Sequence, residues 1–539
     1  MAYMGGRPIV VLQEDSERKR GRDARNSNMM AAQIISEILK TTLGPRGMDK
    51  MLIDGLGDIT ITSDGATVLD EIDVKHPAAK MMIEVAKTQD DEVGDGTTTA
   101  VVLAGELLAR AEELLKQEVH PSLIISGYQK ASERAIEALE GLSLSVDMDD
   151  EEMLMMISNT SMRSKVVSGA RAQLSSIVIK AIKQILEDRD GEVNVDVDDI
   201  QIVKKAGGAL NETELIQGVI IDKEVIHEGM PQRVDDAKIA LIDAPLEVKK
   251  TEIDAEIRIR DPGSMKKFLD QESDMLSKLV EQIAESGANV VFAQKEMDDI
   301  AQHLLAKKGI MAARQVKKSD IEKLSKATGG KVISNLIDLS EEDLGHCETV
   351  EVRRIADDEM IFVKGCADPK SVTIFVRAGL DKMLDEAERA LNDALYVVSD
   401  VAKTPKIVPG GGAIEMQLAN EVRGYARQVG GREQLAIEGF ADALEVIPRT
   451  LAQNAGMDIL GTLVEMRSAH AKMGGEVMGV NVYDKGVIDM LEEGVVEPMV
   501  VKLQALKSSV GVVSMILRID DVVAASSSGG GVTPPDVED

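Results

Sequence analysis

The chain has 539 residues, with 94 Asp plus Glu against 62 Lys plus Arg and a formal net charge of −32. This balance opposes binding to nucleic acid or to an anionic membrane surface, so neither partner is expected. The length exceeds what one hydrophobic core can organise and predicts about two to four domains. With no Trp, five Phe and five Tyr against 28 Met, cores and binding surfaces must be built from aliphatic side chains and Met.

The cysteine and histidine pattern argues against a zinc site. Cys347 and Cys366 form no CxxC pair and imply no oxidising compartment, and the six scattered His residues include no HExxH motif. The N-terminal segment becomes charged too soon for a signal peptide, and no apolar run reaches membrane-spanning length. A cytoplasmic protein is therefore expected.

The first third of the chain predicts short strands and helices that end in glycine-containing turns. Residues 8–12 predict a strand, and a helix follows over 23–43, which the breaker Leu43-Gly44-Pro45-Arg46-Gly47 ends. The predicted buried stripe of this helix consists of Ala31, Ile34, Ile35, Ile38 and Leu39. A half-buried strand over 59–62 then leads to Asp64 on a strand-to-helix turn. By itself, Asp64 is best interpreted as part of an ordinary Asp-Gly turn.

A glycine-rich motif, GDGTTT over 94–99, lies between helix patterns over 78–92 and 100–115. A glycine turn that feeds a helix N-terminus directs free backbone N–H groups and the positive end of the helix dipole at one spot, which suits a phosphate. The carboxylate of Asp95 would repel phosphates unless a divalent cation such as Mg²⁺ bridges them. Taken alone, the motif is equally compatible with a helix-joining loop in which Asp and Thr act as caps.

The middle of the chain changes from helical to alternating patterns. A polar segment over 158–165 predicts a loop, and a helix follows over 166–186. Strand-like segments then alternate with amphipathic helices over 297–307 and 318–327, which predicts an α/β domain with largely parallel strands. These strand-like segments are 238–243, 289–293, 309–314 and 331–334. Residues 247–286, charged at first and then helical, either pack as a surface helix or project toward a partner.

The last third contains a second glycine turn. A strand over 372–377 and an amphipathic helix over 381–401, which carries Asp393 near the edge of its apolar stripe, precede Gly410-Gly411-Gly412 at a helix start. Further helices are predicted over 433–455 and 499–517, strands over 479–482 and 519–525, and a disordered polar tail from about 526. There is no Walker motif, so ATP could bind here only by another scheme.

Nine motifs, spread in order over almost the whole chain, carry a family resemblance. They are TTLGPRGMDKML (41–52), SDGATVL (63–69), HPAAKMM (76–82), GDGTTTAVVLAGELL (94–108), ELIQGVIIDKEVIHEGMP (214–231), APLEVKKTEIDAEIRI (244–259), ERALNDAL (388–395), VPGGGAIE (408–415) and ILRIDDVVAA (516–525). So many motifs in this order exclude coincidence. The chain resembles a group II chaperonin, in particular the thermosome subunits of archaea.

This resemblance implies a multidomain α+β chaperonin fold. A helical equatorial ATPase domain would take residues 1–145 and 405–539, and a small intermediate domain residues 146–215 and 370–404. An α/β apical domain would take 216–369, with a helical protrusion at about 245–275 that acts as a built-in lid. Such subunits, identical or paralogous, form two stacked rings and fold unfolded or partly folded client proteins inside them. ATP and Mg²⁺ are required, and no separate co-chaperonin lid is needed.

The resemblance also assigns roles to individual residues. Asp95 would bind Mg²⁺, Asp64 and Asp393 would position and activate the attacking water, and Lys165 would sense the γ-phosphate. The other nucleotide contacts would be Leu43, Gly44, Pro45, Gly96, Thr97, Thr98, Thr99, Gly410, Gly411, Asn481 and Glu492. These roles agree with phosphoryl transfer, which depends mainly on positioning and charge neutralisation.

Two other functions are compatible with parts of the pattern. A metabolic ATP-dependent enzyme would need a small-molecule catalytic constellation, and residues 216–369 offer none. A non-hydrolysing scaffold of the same fold would not need the three aspartates. The sequence also departs from the family in the helix over 500–517, where Gly511 and valines replace an Ala- and Glu-rich stretch. A glycine inside a helix costs about 1 kcal/mol relative to Ala.

Overall fold

The computed structural model describes residues 2–4, 7–9, 17–165, 169–189, 192–247, 262–355, 358–367 and 369–524. The helices in this part of the chain are α1 Arg22–Lys40, α2 Gly65–Asp70, α3 Pro77–Val93, α4 Thr97–Lys116, α5 Pro121–Leu142, α6 Glu151–Ser161, α7 Arg171–Ile185, α8 Pro262–Glu285, α9 Asp299–Lys307, α10 Lys318–Thr328, α11 Asp381–Lys403, α12 Ala413–Val429, α13 Gly431–Leu444, α14 Val446–Asn454, α15 Ile459–His470 and α16 Met499–Arg518. The strands are β1 Ala2–Met4, β2 Arg7–Ile9, β3 Glu17–Arg20, β4 Lys50–Ile53, β5 Ile59–Thr62, β6 Leu144–Ser145, β7 Glu187–Arg189, β8 Glu192–Asn194, β9 Ile200–Ala206, β10 Glu214–Ile216, β11 Gly218–Ile221, β12 Arg233–Ile242, β13 Val290–Ala293, β14 Met311–Ala313, β15 Val332–Ile333, β16 Gly345–Ile355, β17 Asp358–Lys364, β18 Val372–Ala378, β19 Lys406–Pro409, β20 Met478–Asn481, β21 Gly486–Asp489, β22 Val496–Pro498 and β23 Asp521–Ala524.

The chain divides into two compact units. The first, called the helical unit here, combines residues 1–145 with 406–539, and the second, called the α/β unit, takes residues 146–405. The helical unit is therefore assembled from two distant pieces of sequence. The finer division into three domains stays a prediction. Residues 248–261 of the predicted protrusion and the predicted tail from 526 lie outside the described residues.

The helical unit is organised around α4, whose residues are apolar on nearly every side. Twelve of its residues are buried between α1, α3, α5, α13 and α16. Glycine lets a neighbouring helix approach closely, since a Cβ on Gly105 would lie 2.2 Å from the Ser36 side chain of α1. Tyr128 of α5 packs edge-on against Phe440 with a ring-centroid distance of 5.9 Å, and its hydroxyl donates to the Leu107 carbonyl. The apolar run of α4 thus forms the centre of this core.

The α/β unit is built on a seven-stranded sheet of mixed direction. Its strand order is β11-β17-β16-β12-β13-β14, with β15 also paired to β12. The strands β12, β13, β14 and β15 run parallel, whereas β11, β16 and β17 pair antiparallel. The prediction of largely parallel strands therefore holds for four of the seven strands. The strands β16 and β17, which were not predicted from the sequence, form an antiparallel hairpin. A smaller sheet, β10-β18-β9, carries β18 parallel to β9 and packs against α11.

Two predicted elements differ from the observed ones for identifiable reasons. The polar segment 158–165 is helical in α6 and in a 3₁₀ turn over Met162–Ser164, because the Ser158 hydroxyl is buried and donates to Ser175 of α7. The single helix predicted over 433–455 is divided into α13 and α14 at Glu445. Pro448 lies in the first turn of α14, where a proline needs no N–H partner.

Smaller corrections concern α1 and α16. Helix α1 ends at Lys40 rather than 43, and Ile34, placed on its buried stripe, is 55% exposed. Helix α16 is, by length and composition, apolar enough to cross a membrane, contrary to the expectation from the sequence, but 61% of its apolar stretch is buried. It packs against α3, α4 and α5, as a core helix does.

Candidate functional site

The GDGTTT motif forms the turn between α3 and α4, and its threonines lie inside the first turn of α4 rather than before it. Gly94 ends α3 with a φ of +62°, and Gly96 precedes α4 with a φ of +78°, a region that favours glycine. The Gly96 N–H donates to Asp95 Oδ1 at 2.6 Å. The N-cap residue of α4 is Gly96, which has no side chain to cap the helix, and a helix N-terminus of this kind can bind an anion through its first N–H groups.

The Asp64 turn lies directly against this helix N-terminus. A Cβ on Gly65 would lie 2.7 Å from Thr98 Oγ1 and 2.9 Å from Thr97 Oγ1, so only glycine permits the approach. Asp64 caps α2, since its Oδ2 accepts from the N–H and the hydroxyl of Thr67, both at 2.8 Å. The turn predicted as ordinary is thus a cap, and it also brings a carboxylate beside the candidate phosphate turn.

The first turn of α16 supports the phosphate turn from the other side. Gln89 Nε2 donates to the Asp95 carbonyl at 2.9 Å and to the Val501 carbonyl at 3.2 Å. A Cβ on Gly96 would lie 2.7 Å from Val501 Cγ1, so the Val501 side chain packs closely against the Gly96 backbone. The position of Asp95 is therefore set by residues from both sequence pieces of the helical unit.

The second glycine turn packs against β20 and β22. The Gly411 carbonyl accepts from the Val480 N–H at 2.9 Å, and the Gly410 N–H donates to the Val495 carbonyl at 2.9 Å. A Cβ on Gly411 would lie 2.5 Å from Met490 Sδ. Asn481, the residue after Val480, is buried, and its Oδ1 accepts from the N–H groups of Tyr483 and Asp484. Gly410, Gly411 and Asn481 are thus neighbours, whereas Glu492 lies exposed on the turn that follows Met490.

The Leu43-Gly44-Pro45 loop reaches the same region through α14 and a cation–π contact. Asn454 of α14 donates to the Leu43 carbonyl at 2.9 Å, and a Cβ on Gly44 would lie 2.3 Å from Leu451 Cδ2 of the same helix. Arg46 lies over the Tyr483 ring, 5.0 Å from its centroid. Since the Tyr483 N–H donates to Asn481, the Arg46 contact connects this loop with the residues beside the second glycine turn.

A buried charge network, absent from the sequence predictions, connects the two glycine turns. Lys502 Nζ of α16 lies 2.9 Å from Glu415 Oε1 of α12 and 2.6 Å from Glu497 Oε2 of β22. Burial alone would lower the pKa of Lys502, but the charges of Glu415 and Glu497 outweigh it and raise that pKa. Burial raises the pKa of Glu497, Lys502 opposes this rise, and the charges of Glu415 and Asp95 add to it.

Helical periodicity could have revealed this network. Lys502 shares the buried face of α16 with Ala505, Leu506, Ser509 and Val513, where a cation needs partners. Gln89, buried on α3, was missed in the same way. Glu415 lies more than 80 residues from Lys502, and Val501 lies 412 residues from Gln89, so these two partners leave no local signal. The other two partners, Glu497 and Asp95, are only five and six residues away in sequence.

Lys165 and Asp393 belong to the α/β unit and form an ion pair with each other. Lys165 Nζ donates to Asp393 Oδ2 at 2.5 Å, and only 4% of the Lys165 side chain and 14% of the Asp393 side chain are exposed. Asp393 thus lies on the mostly buried side of α11, not on the solvent face that an ordinary helix aspartate would occupy. The two residues are thus paired with each other within the α/β unit.

A magnesium ion fits Asp95 only together with a phosphate ligand. No group of three or more His, Cys, Asp or Glu residues in the described ranges could hold a metal ion. Mg²⁺ usually keeps several waters and is bound through one or two carboxylates plus substrate phosphates. A single carboxylate beside an uncapped helix N-terminus meets that requirement. When bound, the ion would neutralise phosphate charge.

Comparison with known proteins identifies the family of the chain. Residues 35–527 match the TCP-1/cpn60 chaperonin family. The chain is similar to a thermosome subunit of Methanopyrus kandleri, 56% identical over 520 residues that cover 96% of this chain and 95% of that protein. It is also similar to a thermosome subunit beta of Thermococcus kodakarensis, 56% identical with 97% and 96% covered, and to one of Sulfolobus acidocaldarius, 52% identical with 98% and 96% covered. The chain therefore belongs to the TCP-1/cpn60 chaperonin family, whose members are ATP-dependent protein-folding chaperonins.

Proposed function

We propose that the helical unit binds ATP with Mg²⁺ at the uncapped N-terminus of α4, and that hydrolysis there drives a protein-folding cycle. The observation that carries the proposal is the convergence of three turns in this unit. The turns are Leu43–Pro45, Gly94–Thr99 with the Asp64 turn against it, and Gly410–Gly411 with Asn481 beside it. Phosphoryl transfer needs many positioned donors and charge neutralisation more than it needs a nucleophile from the protein.

Within this proposal each group has a definite task. The α4 N-terminus and the hydroxyls of Thr97, Thr98 and Thr99 bind the phosphates. Asp95 holds Mg²⁺ together with them, and Asp64 orients the attacking water beside Thr97 and Thr98. Leu43, Gly44, Pro45, Gly410, Gly411, Asn481 and Glu492 contact the remainder of the nucleotide.

Asp393 and Lys165 complete the catalytic set from the α/β unit. Asp393 accepts a proton from the attacking water, and Lys165 responds to the γ-phosphate. Because the two residues form an ion pair, Lys165 can leave Asp393 for the phosphate, which would couple nucleotide state to the carboxylate that activates water. Hydrolysis then depends on movement of one domain onto another, as in many enzymes that close around a substrate.

The larger assembly is part of the same proposal. In it the chain forms equatorial, intermediate and apical domains, with a lid at about residues 245–275 and no separate co-chaperonin. Two stacked rings enclose unfolded or partly folded proteins in the cytoplasm. The similarity to thermosome subunits over nearly the full length of the chain supports this proposal.

Asp95→Asn tests the nucleotide site directly. We expect loss of Mg²⁺-dependent ATP binding, measured by equilibrium titration of the assembled protein, because the phosphates would face no bridging cation. Asp91→Asn, on the exposed face of α3 four residues earlier, is the matched control and should bind as the unmodified protein does. Unchanged Mg-ATP affinity in Asp95→Asn would overturn the assignment.

A further inference from the structure

The Lys502 network is unusual because two buried charges, Lys502 and Glu415, lie together with the half-buried Glu497 at the edge of an apolar core. Lys502 is 7% exposed and Glu415 is 5% exposed, and their neighbours are mainly aliphatic. Burying charges is costly unless they are paired, and a network with one cation and two carboxylates keeps an excess negative charge. Among the described residues, neither oxygen of Glu415 accepts a hydrogen bond of standard geometry, so its ion pair with Lys502 is its main stabilisation.

The network also lies between the two glycine turns. Glu415 is in the first turn of α12, directly after Gly410-Gly411-Gly412. Glu497 pairs with Val408 across β19 and β22, and its Oε1 lies 2.8 Å from the Cβ position of Gly410. Lys502 follows Val501, the residue that contacts Gly96. One ammonium group therefore connects the elements that carry both turns.

A small cavity extends from this network toward the phosphate turn. Its volume is about 10 Å³, roughly the space of one water molecule, and its lining includes Thr99, Leu103, Glu415 and Lys502. Glu415 and the proposed phosphate-binding Thr99 thus line one small cavity whose other lining residues are mainly aliphatic. Charge at Glu415 and Glu497 is close enough to affect an anion at the turn.

We propose that Lys502 is a positioning residue for ATP binding, whose ammonium group neutralises Glu415 and Glu497 and so allows a triphosphate to bind between the two glycine turns. The inference rests on the proposed nucleotide site. Lys502 acts through its two carboxylates and through α16, not by contact with the reacting atoms. Without it, the buried carboxylate of Glu415 and the half-buried carboxylate of Glu497 would be left unpaired beside the region of Asp95 and repel the phosphates.

Substitutions of Lys502 distinguish the effect of its charge on ATP binding from the effect of its packing. Lys502→Met keeps the length of the side chain and removes the charge, and we expect about 10- to 100-fold weaker ATP binding, as for other residues that support a ligand indirectly. Lys502→Arg should recover most of the affinity. The double variant Lys502→Met with Glu415→Gln should also recover affinity, because it removes one of the carboxylates left unpaired. Lys507→Met, on the exposed face of the same helix, is the matched control.

The pH profile gives a readout that a merely structural role would not move. In Lys502→Met, the charged groups that face the empty position are Glu415 from α12, Glu497 from β22 and Asp95 from the turn before α4. Lowering the pH should protonate Glu497, whose pKa burial already raises, and strengthen ATP binding in this variant, relative to the unmodified protein. A parallel pH profile in both proteins would overturn the inference.

The remaining outcomes are also decisive. If Lys502→Met does not fold, Glu497→Gln is measured instead, and it should fold and bind ATP more tightly because it removes the excess negative charge. Equal or weaker binding in Glu497→Gln would overturn the inference. If Asp95→Asn loses ATP binding but Lys502→Met binds normally, only the role of Lys502 fails. If Asp95→Asn binds normally, the nucleotide site and the role of Lys502 both fail.

Discussion

The two units hold their proposed catalytic carboxylates in different ways. In the helical unit, Asp64 accepts from Thr67 three residues away, and Asp95 accepts from the next N–H in the chain. In the α/β unit, Asp393 lies in the middle of α11 and is held by Lys165, which is 228 residues away. The hydrogen bonds of Asp64 and Asp95 form within a single turn and do not depend on a distant partner. The ion pair of Asp393 joins distant residues, so Lys165 can exchange Asp393 for another partner. The helical unit is therefore suited to hold the nucleotide, and the α/β unit to respond to it.

Removing the carboxylate of Asp393 is the strongest way to break this comparison. Asp393→Ala should bind ATP about normally but hydrolyse it about a hundredfold to ten-thousandfold more slowly, the usual cost of losing a general base. Single-turnover hydrolysis measured beside equilibrium ATP binding tests this. Asp385→Ala, on the same helix and paired with Lys204, is the control for damage to α11.

Either of two results would change the assignment. Near-normal hydrolysis in Asp393→Ala would make the ion pair with Lys165 purely structural. Lost ATP binding would make Asp393 a nucleotide contact, and the division of labour between the units would then disappear.

Substitutions that create a cavity in each core compare the stability of the two units. Phe440 in the helical unit and Phe292 in the α/β unit are both fully buried. Each replacement by Ala should destabilise its own unit by about 3–5 kcal/mol, from lost apolar burial and the cavity that remains. Calorimetry of the single variants should lower one unfolding transition in each case. Leu460→Ala, at an exposed position, is the control, and an equal shift of a single shared transition in both variants would show that the units unfold together.

The sequence predicted local features well and long-range ones poorly. The strand Ile59–Thr62, the helix starting beside Asp64 and the glycine turns were confirmed, because hydrogen bonds within a few residues determine them. The β16–β17 hairpin and the division at Glu445 were missed, since sheet pairing and helix packing decide them. The family resemblance supplied the roles of Lys165 and Asp393, and neither periodicity nor spacing predicted their ion pair.

The Lys502 network was also missed because it depends on the assembly of several elements. A single buried lysine is visible from helical periodicity, but its partners Glu415 and Glu497 are identified only when α12, β22 and α16 are assembled. The motifs therefore pointed to the groups that we propose to contact a phosphate, and missed the charges that we propose to support that site.

The smallest effect is expected at Gly511, the residue that departs from the family pattern in α16. Gly511 is exposed, and a Cβ there would have no atom of the described chain within 4 Å apart from its own helix backbone. Gly511→Ala should therefore raise the free energy of unfolding by about 0.5–1 kcal/mol, because alanine restricts the unfolded chain and favours the helix. ATP affinity should not change, since the residue lies away from the first turn of α16.

Gly412 is the contrasting glycine, because alanine is expected to destabilise the protein at this position. Its φ is +77°, and a Cβ there would lie 2.8 Å from Pro448 Cβ, so Gly412→Ala should destabilise the helical unit and weaken ATP binding. Denaturant unfolding and ring assembly are measured for both variants. If Gly511→Ala stabilises the subunit but impairs ring assembly, position 511 is covered by a neighbouring subunit, and the glycine is there to allow that contact. If Gly511→Ala stabilises the subunit and leaves ring assembly intact, the glycine lowers helix stability without serving assembly. The functional requirement on α16 then lies in its first turn, at Val501 and Lys502.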